Sequence, residues 1–244
     1  MQRQPVSLDR LSLFRGLQRI VILAILATVA VPPLHASGNW TSIGPAAASI
    51  RSLVAANGVL YAATPDGVER SQDGGHRWRA VNVGLDPAAW PSVLVADTEH
   101  SGLLYAGGSE LFRSFDGAAS WQALHFPCGD VLEIVIAPSR PRTLYIVALQ
   151  SGRPSTMNLA KSVDRGQTWT CTPLEFAEGA ALAVDPGDSD TLYAGAEGIF
   201  KSTESGAVGS WVRIHRSLPP LEFLGAVAVD PSVAETIRKS SGAD

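Results

Sequence analysis

Glu133 is the residue whose type and position most directly suggest chemistry. It lies in an apolar stretch, EIVIA, where the aligned stretches carry the small or apolar residues Val93, Ala181 and Ala226. A carboxylate in such a place could bind a ligand or act as a general acid or base, and glycoside hydrolysis needs two carboxylates about 5–10 Å apart. Spacing pairs Glu133 with no second carboxylate, so a solvated carboxylate is the interpretation that we favour.

Other catalytic patterns are missing from the sequence. It contains no G-x-S-x-G, no G-x-G-x-x-G and no Walker motif, and its histidines follow no triad spacing. We therefore predict no catalytic residue, no cofactor and no metal site. Two further side chains are candidates for ligand contact: Trp90 in the connection DPAAWPSV, and Arg153 in the insertion LQSGRPSTMNLA, which we expect to form a loop. For Trp90, packing over the edge of a sheet is the alternative.

Composition indicates a folded, turn-rich protein. The 244 residues are 45% hydrophobic and 17% charged, which excludes wholesale disorder and a strongly basic nucleic-acid binder. Gly and Pro number 23 and 16, too many for a helix bundle. We expect an all-β fold.

A repeated segment ending in tryptophan organises the chain. Its copies are SQDGGHRW (71–78), SFDGAASW (114–121), SVDRGQTW (162–169) and a looser STESGAVGSW (202–211). The residues that carry the pattern are Ser71, Asp73, Gly75, Trp78, Ser114, Asp116, Trp121, Ser162, Asp164, Gly166, Trp169, Ser202 and Trp211. Ser and Asp side chains can bind backbone N–H groups of a turn, Gly tolerates a positive φ, and Trp supplies apolar surface. We expect hairpin turns, the fourth of them looser because Glu204 replaces the Asp.

A second anchor has the same period as the first. LYAAT, LYAGG, LYIVA and LYAGA contain all four tyrosines of the protein, Tyr61, Tyr105, Tyr145 and Tyr193. In three units the tyrosine follows by eight residues the end of an apolar stretch such as VLVAD or ALAVD. Each unit thus reads as an apolar strand, the LYAG strand, a third strand, the turn and a Trp-bearing strand. A period of 42–48 residues is typical of a four-stranded propeller blade.

These phased segments resemble the BNR or Asp-box repeat family, whose pattern is S-x-D-x-G-x-x-W. The resemblance implies a β-propeller of four-stranded antiparallel blades, such as those of sialidases, xyloglucan-cleaving glycosidases, sortilin-type receptors and a photosystem II assembly factor. It also implies that the Asp boxes lie at the blade periphery and are structural. A sialidase needs a tyrosine nucleophile, but every tyrosine here occupies the repeat position. We therefore disfavour sialidase activity.

The predicted domain covers residues 37–237. Its blades lie near 37–78, 79–121, 122–169 and 170–211, with a partial fifth at 212–237 and a disordered tail at 238–244. A truncated reading frame is the interpretation that we favour, since the fifth unit stops in mid-blade. A four-bladed ring completed by the Trp40 strand, and an open propeller that self-associates through its blade edges, are the alternatives.

The N-terminus has the pattern of a signal peptide, predicted at residues 1–36. Four arginines precede the apolar stretch Ile20–Val31, and the small residue Ala36 follows. An uncleaved signal anchor is the alternative. Removal of this segment leaves 15 basic and 22 acidic residues, so the mature chain is acidic and nucleic acid is not an expected partner.

Export would permit a disulfide between Cys128 and Cys171, with two buried free thiols as the alternative. The function that we predict is a secreted or periplasmic binding or assembly module, without catalytic activity and without a membrane span in the mature chain. Its partner would be a protein or a glycan. A fragment of a propeller glycoside hydrolase that lacks a complete active site is the alternative.

Overall fold

The computed structural model describes residues 43–45, 49–89, 91–152, 155–175, 181–214 and 227–229. Several predictions fall on residues outside these ranges: the signal peptide at 1–36, Trp40, Trp90, Arg153 and the tail at 238–244. The predicted fifth unit also lies mostly outside them, and residues 227–229 form no strand.

The described residues confirm the all-β prediction, since their sixteen strands form four antiparallel sheets of four strands each. The first sheet contains β1 (Ser52–Ala56), β2 (Val59–Thr64), β3 (Gly67–Ser71) and β4 (Arg79–Ala80). The second contains β5 (Val93–Ala96), β6 (Leu104–Gly107), β7 (Leu111–Ser114) and β8 (Gln122–Leu124).

The other two sheets repeat this order. The third contains β9 (Asp130–Ile136), β10 (Leu144–Gln150), β11 (Thr156–Ser162) and β12 (Thr170–Pro173). The fourth contains β13 (Ala181–Asp185), β14 (Asp188–Gly195), β15 (Ile199–Ser202) and β16 (Val212–Arg213). In every sheet, strands that follow one another in sequence are hydrogen-bonded neighbours, so each unit is a meander that one short sequence segment can form.

Burial falls from the middle strands to the outer strand of each sheet. All four residues of β6 are buried, whereas the two residues of β4 and the two of β16 are exposed. The LYAG segments of the second and third sheets are apolar on both faces because each of these sheets has a neighbouring sheet on either side. The outermost strands meet water and carry polar residues.

The apolar core consists of three clusters, each shared by two successive sheets. Tyr61 and Val68 of the first sheet pack with Phe112 and Trp121 of the second. The other two clusters join the second sheet to the third and the third to the fourth. The first strands of neighbouring sheets also contact one another: β1 with β5, β5 with β9, and β9 with β13. This radial stacking is that of a β-propeller, and within the described residues the four sheets form an arc that does not close into a ring.

Two local expectations are corrected. Each motif tryptophan directly precedes the outer strand instead of lying in it, as Trp121 does before β8. The insertion LQSGRPSTMNLA was expected to be a loop, but most of it lengthens two strands. β10 and β11 have seven residues each and remain paired out to Gln150 and Thr156. Two adjacent strands can satisfy their backbone groups by pairing, which a long loop cannot do.

Candidate functional site

The strand register confirms the alignment of Glu133 with Val93 and Ala181, whereas Ala226 lies outside the described residues. Glu133 pairs with Val147, Val93 with Gly107, and Ala181 with Gly195, and these partners hold the same place in their LYAG segments. Ser52, which pairs with Ala63, is the equivalent residue of the first sheet. Sequence analysis missed Ser52 because its strand, SLVAA, lacks the Asp that ends VLVAD and ALAVD. Counting back from the LYAAT anchor would also miss it, since Ser52 precedes Leu60 by 8 residues whereas Val93 precedes Leu104 by 11.

Glu133 connects two sheets instead of facing solvent alone. Its Oε2 accepts a hydrogen bond of 2.8 Å from the backbone N–H of Leu182 in β13. Ser52 makes the same kind of contact one pair of sheets earlier, since its Oγ accepts from the N–H of Leu94 at 3.1 Å. The register shifts between Val147 and Ala148, which places a β-bulge at Leu132, beside Glu133. Bulges redirect side chains, and the half-buried Glu133 thus makes a contact between sheets that the interpretation as a solvated carboxylate did not include.

The four repeated segments, which we call the motif turns, share one hydrogen-bond pattern. The first Ser accepts a bond from the backbone N–H four residues later, at 2.9 Å for Ser71 and Gly75 and at 2.8 Å for Ser162 and Gly166. The Ser hydroxyl also donates to the motif Asp in the first three turns. These bonds close each turn from within, as expected for short polar side chains beside residues with positive φ.

The motif carboxylates are engaged in their own turns. Asp164 accepts bonds from Ser162, from Gln167 and from the backbone and hydroxyl of Thr168. Desolvation opposes ionisation of Asp164, but the bonds from Thr168 and Ser162 outweigh it and lower its pKa to about 2. Hydrogen bonds led by that of the Arg77 N–H lower the pKa of Asp73, and those of Ser120 lower the pKa of Asp116.

The fourth motif turn replaces the carboxylate with a hydroxyl. Ser202 keeps its bond from the N–H of Gly206 at 3.0 Å, but its Oγ lies 2.7 Å from Ser210 Oγ. Ser210 in turn donates to the carbonyl of Ala207 at 2.6 Å. Ser210, the residue directly before Trp211, therefore takes the place of the motif Asp as the side-chain partner of the first Ser.

A basic residue precedes the first Ser of every motif turn: Arg70, Arg113, Lys161 and Lys201. Sequence analysis missed this feature although the signal is present in all four units. Arg70 donates to the carbonyl of Gly117 at 2.9 Å, and Arg113 donates to the carbonyl of Arg165 at 2.8 Å. Lys161 reaches Ser205 at 2.7 Å.

The acceptors of these basic residues occupy one position, the fourth residue of the next motif turn. Gly117, Arg165 and Ser205 all have positive φ, at 70°, 61° and 57°. The second, third and fourth motif turns therefore each join their sheet to the preceding one, in addition to closing their own hairpins.

Two of the tyrosines also form hydrogen bonds between neighbouring sheets. Tyr145 donates to the carbonyl of Ser189 at 2.8 Å, and Tyr105 donates to that of Arg165 at 3.4 Å. Burial raises the pKa of Tyr105 to about 12, although Arg113 and Arg165 oppose the shift. Tyr105 therefore stays protonated at neutral pH and donates a hydrogen bond, which is the opposite of what an ionised nucleophile would do.

Cys128 and Cys171 form a disulfide, with 5.7 Å between their Cα atoms. Cys128 is buried in the connection between β8 and β9, and Cys171 lies in the exposed outer strand β12. The bond fastens that outer strand to the segment entering the same sheet. Of the two alternatives, the structure has the disulfide.

Of the three candidate ligand contacts, the structure describes one. Glu133 lies on the first strand of the third sheet, and Trp90 and Arg153 lie outside the described residues. Within the described part of the chain, no group of three His, Cys, Asp or Glu side chains could hold a metal ion. None of the described residues belongs to an apolar helix with the length that a bilayer span requires.

Comparison with known proteins finds xyloglucanases among the relatives in sequence. Xyloglucanase Xgh74A of Acetivibrio thermocellus is 30% identical over 163 residues, which are 56% of this chain and 19% of that protein. A xyloglucanase of Hypocrea jecorina is 26% identical over 212 residues, covering 77% of this chain and 21% of its own length. The chain thus spans about a fifth of the curated relatives that it matches. No family model matches it.

Solved structures share the fold at lower sequence identity. An ancestral GH74 enzyme superposes with a TM-score of 0.58 at 18% identity, covering 75% of this chain and 26% of that one. The GH74 xyloglucanase of Xanthomonas campestris gives 0.53 at 18% identity, covering 70% and 31%. The extracellular domain of BT4673 from B. thetaiotaomicron gives 0.56 at 14% identity, covering 74% and 25%. At these identities the likeness concerns the fold alone, and it agrees with the radial stacking of sheets: the chain has a β-propeller fold.

Proposed function

We propose that this protein is an exported β-propeller that binds polysaccharide of the xyloglucan type without hydrolysing it. The observation that carries the proposal is the sequence match to xyloglucanases, 30% identical over 163 residues. A match of this length covers several of the repeated units and is not confined to one motif. Fold alone would support no substrate, because propellers host many unrelated functions.

The state of Glu133 supports binding over catalysis. Two-carboxylate hydrolysis needs an acid and a base placed on either side of the glycosidic bond. Glu133 is the candidate that the sequence offers, and one of its oxygens is engaged by the N–H of Leu182. A carboxylate that joins two sheets contributes to the scaffold, and rotating it toward a substrate would leave that N–H without its acceptor.

Export is the second part of the proposal. The basic and apolar N-terminal segment with Ala36 has the pattern of a signal peptide. The disulfide between Cys128 and Cys171 fits an oxidising compartment. A secreted or periplasmic protein would meet polysaccharide directly.

The alternative function is that of a portion of a xyloglucan-cleaving hydrolase. The same 30% identity favours it, since the relatives are named as enzymes. In that case the catalytic carboxylates would include groups that this chain of 244 residues does not supply. Such a chain would bind polysaccharide and release no sugar until it was combined with the rest of the enzyme.

Affinity electrophoresis tests the proposal. The full chain is expressed with its N-terminal segment, purified from the exported fraction and run in native gels with and without xyloglucan. We expect slower migration in the xyloglucan gel and no release of reducing sugar during prolonged incubation. Equal migration in both gels would refute binding. Hydrolysis that persists through purification and disappears in Glu133→Gln would refute the non-catalytic part and favour the alternative.

A further inference from the structure

A cleft of about 390 Å³ opens between the first and second sheets. Tyr61, Arg70 and Gln72 line it from the first sheet, and Asp97 and Phe115 line it from the second. Its volume falls in the range of roughly 300–1,000 Å³ that is usual for small-molecule sites. None of these residues belongs to the Glu133 position, which lies on the first strand of a different sheet.

The cleft exists because the first hairpin of the first sheet is short. Four residues separate the paired residues Ala55 and Leu60, whereas seven separate Ala96 from Leu104 in the second sheet. The short connection turns through Asn57 and Gly58, which both have positive φ. A two-residue turn of this kind reaches less far toward the neighbouring sheet than a longer loop does.

At the other two boundaries the longer connections cross the gap. His100, in the connection between β5 and β6, lies 2.7 Å from Arg165 of the third sheet. Arg140, in the connection between β9 and β10, donates to Asp190 of the fourth sheet at 3.0 Å.

The first boundary also differs from the second in the residue at the fourth position of the motif turn. At the first boundary it is Gly117, which has no side chain, whereas at the second it is Arg165, whose side chain reaches His100. A Cβ on Gly117 would lie 3.3 Å from the hydroxyl of Tyr61, so even a small side chain there would enter the cleft. The short turn and the glycine thus leave room at this boundary.

The lining has the chemistry of a sugar site. Phe115 is 57% exposed, and the guanidinium carbon of Arg113 lies 4.5 Å from its ring centroid, which fixes the ring at the mouth of the cleft. An exposed, fixed aromatic ring offers a flat apolar surface to the C–H face of a pyranose. Gln72 is the second residue of the first motif turn, as Phe115 is of the second, and it is exposed. Its amide can both donate to and accept from hydroxyl groups.

The charges of the cleft favour a neutral ligand. Arg70 is a cation there, but it already donates to the carbonyl of Gly117. Two carboxylates, Asp97 and Asp116, line the same space and are likewise hydrogen-bonded within their own segments. The lining thus holds two anions and one cation, which would repel a phosphate or an acidic sugar. From the open volume, the exposed ring and this balance of charge, we infer that the cleft is a subsite for one or two neutral pyranose units. The inference rests on the proposed function and names where the polysaccharide is held.

Matched substitutions test the subsite. Phe115→Ala and Gln72→Ala remove the ring and the amide, and Val163→Ala changes the equivalent exposed position of the third motif turn, outside the cleft. The probes are xyloglucan in affinity gels and cellotetraose in titration calorimetry. We expect Phe115→Ala to weaken cellotetraose binding about three- to tenfold, the loss of one aromatic contact, and Val163→Ala to leave it unchanged. All three variants should keep the melting temperature of the parent, since the altered side chains are exposed.

The outcomes separate the subsite from the proposed function. If the parent is slowed by xyloglucan and Phe115→Ala and Gln72→Ala are slowed equally, the subsite is refuted while the proposed function stands. If the parent is not slowed and binds no cellotetraose, both are refuted. An equal loss of binding in Val163→Ala would also refute the subsite, because that residue does not line the cleft.

Discussion

Lys161 and Asp190 form an ion pair across the boundary between the third and fourth sheets, with 3.1 Å between Nζ and Oδ1. Arg140 of the third sheet approaches the other oxygen of Asp190 at 3.0 Å, and the Ser205 hydroxyl donates to Oδ1 at 2.6 Å. The Asp190 carboxylate thus binds two cations and a hydroxyl group. The apolar cluster beneath it supplies contact area, and this polar group fixes how the two sheets are placed.

The first prediction concerns acid stability. Hydrogen bonds from Ser205 and Lys161 lower the pKa of Asp190 to about 2, below its ordinary value of 3.8. The folded protein therefore binds this proton less readily than the unfolded chain, and the stabilisation is complete above about pH 4 and lost as the pH falls from 4 to 2. We expect the urea midpoint to fall more steeply over this range in the parent than in Asp190→Asn. The exposed Glu99→Gln serves as the charge-matched control, and a parallel fall in Asp190→Asn would contradict the prediction.

The second prediction concerns the basic residues before the motif turns. Arg113 is only 9% exposed, and it bonds the carbonyl of Arg165 and the side chain of Gln122. Arg113→Met should lower the free energy of unfolding by about 1–3 kcal/mol, because buried acceptors lose a charged donor. Chemical denaturation measures the change. Lys201→Met changes the equivalent residue of the fourth sheet and should lower the free energy of unfolding by less than Arg113→Met does. A larger decrease in Lys201→Met would argue against the role assigned to Arg113.

Much of the fold could be predicted from the sequence because the same pattern of strands and turns recurs in four units. Four phased anchors determine the strand order, and the structure agrees with that order in all four sheets. The contacts between sheets are harder to foresee, since a side chain such as Arg70 bonds a backbone carbonyl 47 residues away. Every residue has a backbone carbonyl, so the sequence does not show which carbonyl a basic residue bonds. Such a residue therefore looks like ordinary surface charge. The cleft is equally hidden, because it arises from a short turn and a glycine that look unremarkable by themselves.

The third prediction concerns the disulfide. Cys128 and Cys171 are separated by 43 residues, and closing a loop of this length stabilises a folded chain by about 4 kcal/mol in the loop-entropy model. Reduction of the exported protein should lower its urea midpoint accordingly, and the double variant Cys128→Ala/Cys171→Ala should match the reduced parent. Mass spectrometry of unreduced peptides checks the link directly. A midpoint unaffected by reduction, with the link present beforehand, would contradict the predicted stabilisation.

The last prediction separates the structural role of Glu133 from a catalytic one. Its Oε2 accepts from the N–H of Leu182, and a glutamine oxygen could accept the same bond. Glu133→Gln should therefore keep nearly all of the parent stability, whereas Glu133→Ala leaves the N–H unsatisfied and should cost about 1–3 kcal/mol. Ser52→Ala, which removes the equivalent contact to Leu94, should show a loss of the same kind. Denaturation of the three variants measures these costs, and equal losses in Glu133→Gln and Glu133→Ala would mean that the charge matters instead of the hydrogen bond. Because the glutamine variant stays folded, any hydrolysis that it abolishes would be chemistry lost and not structure.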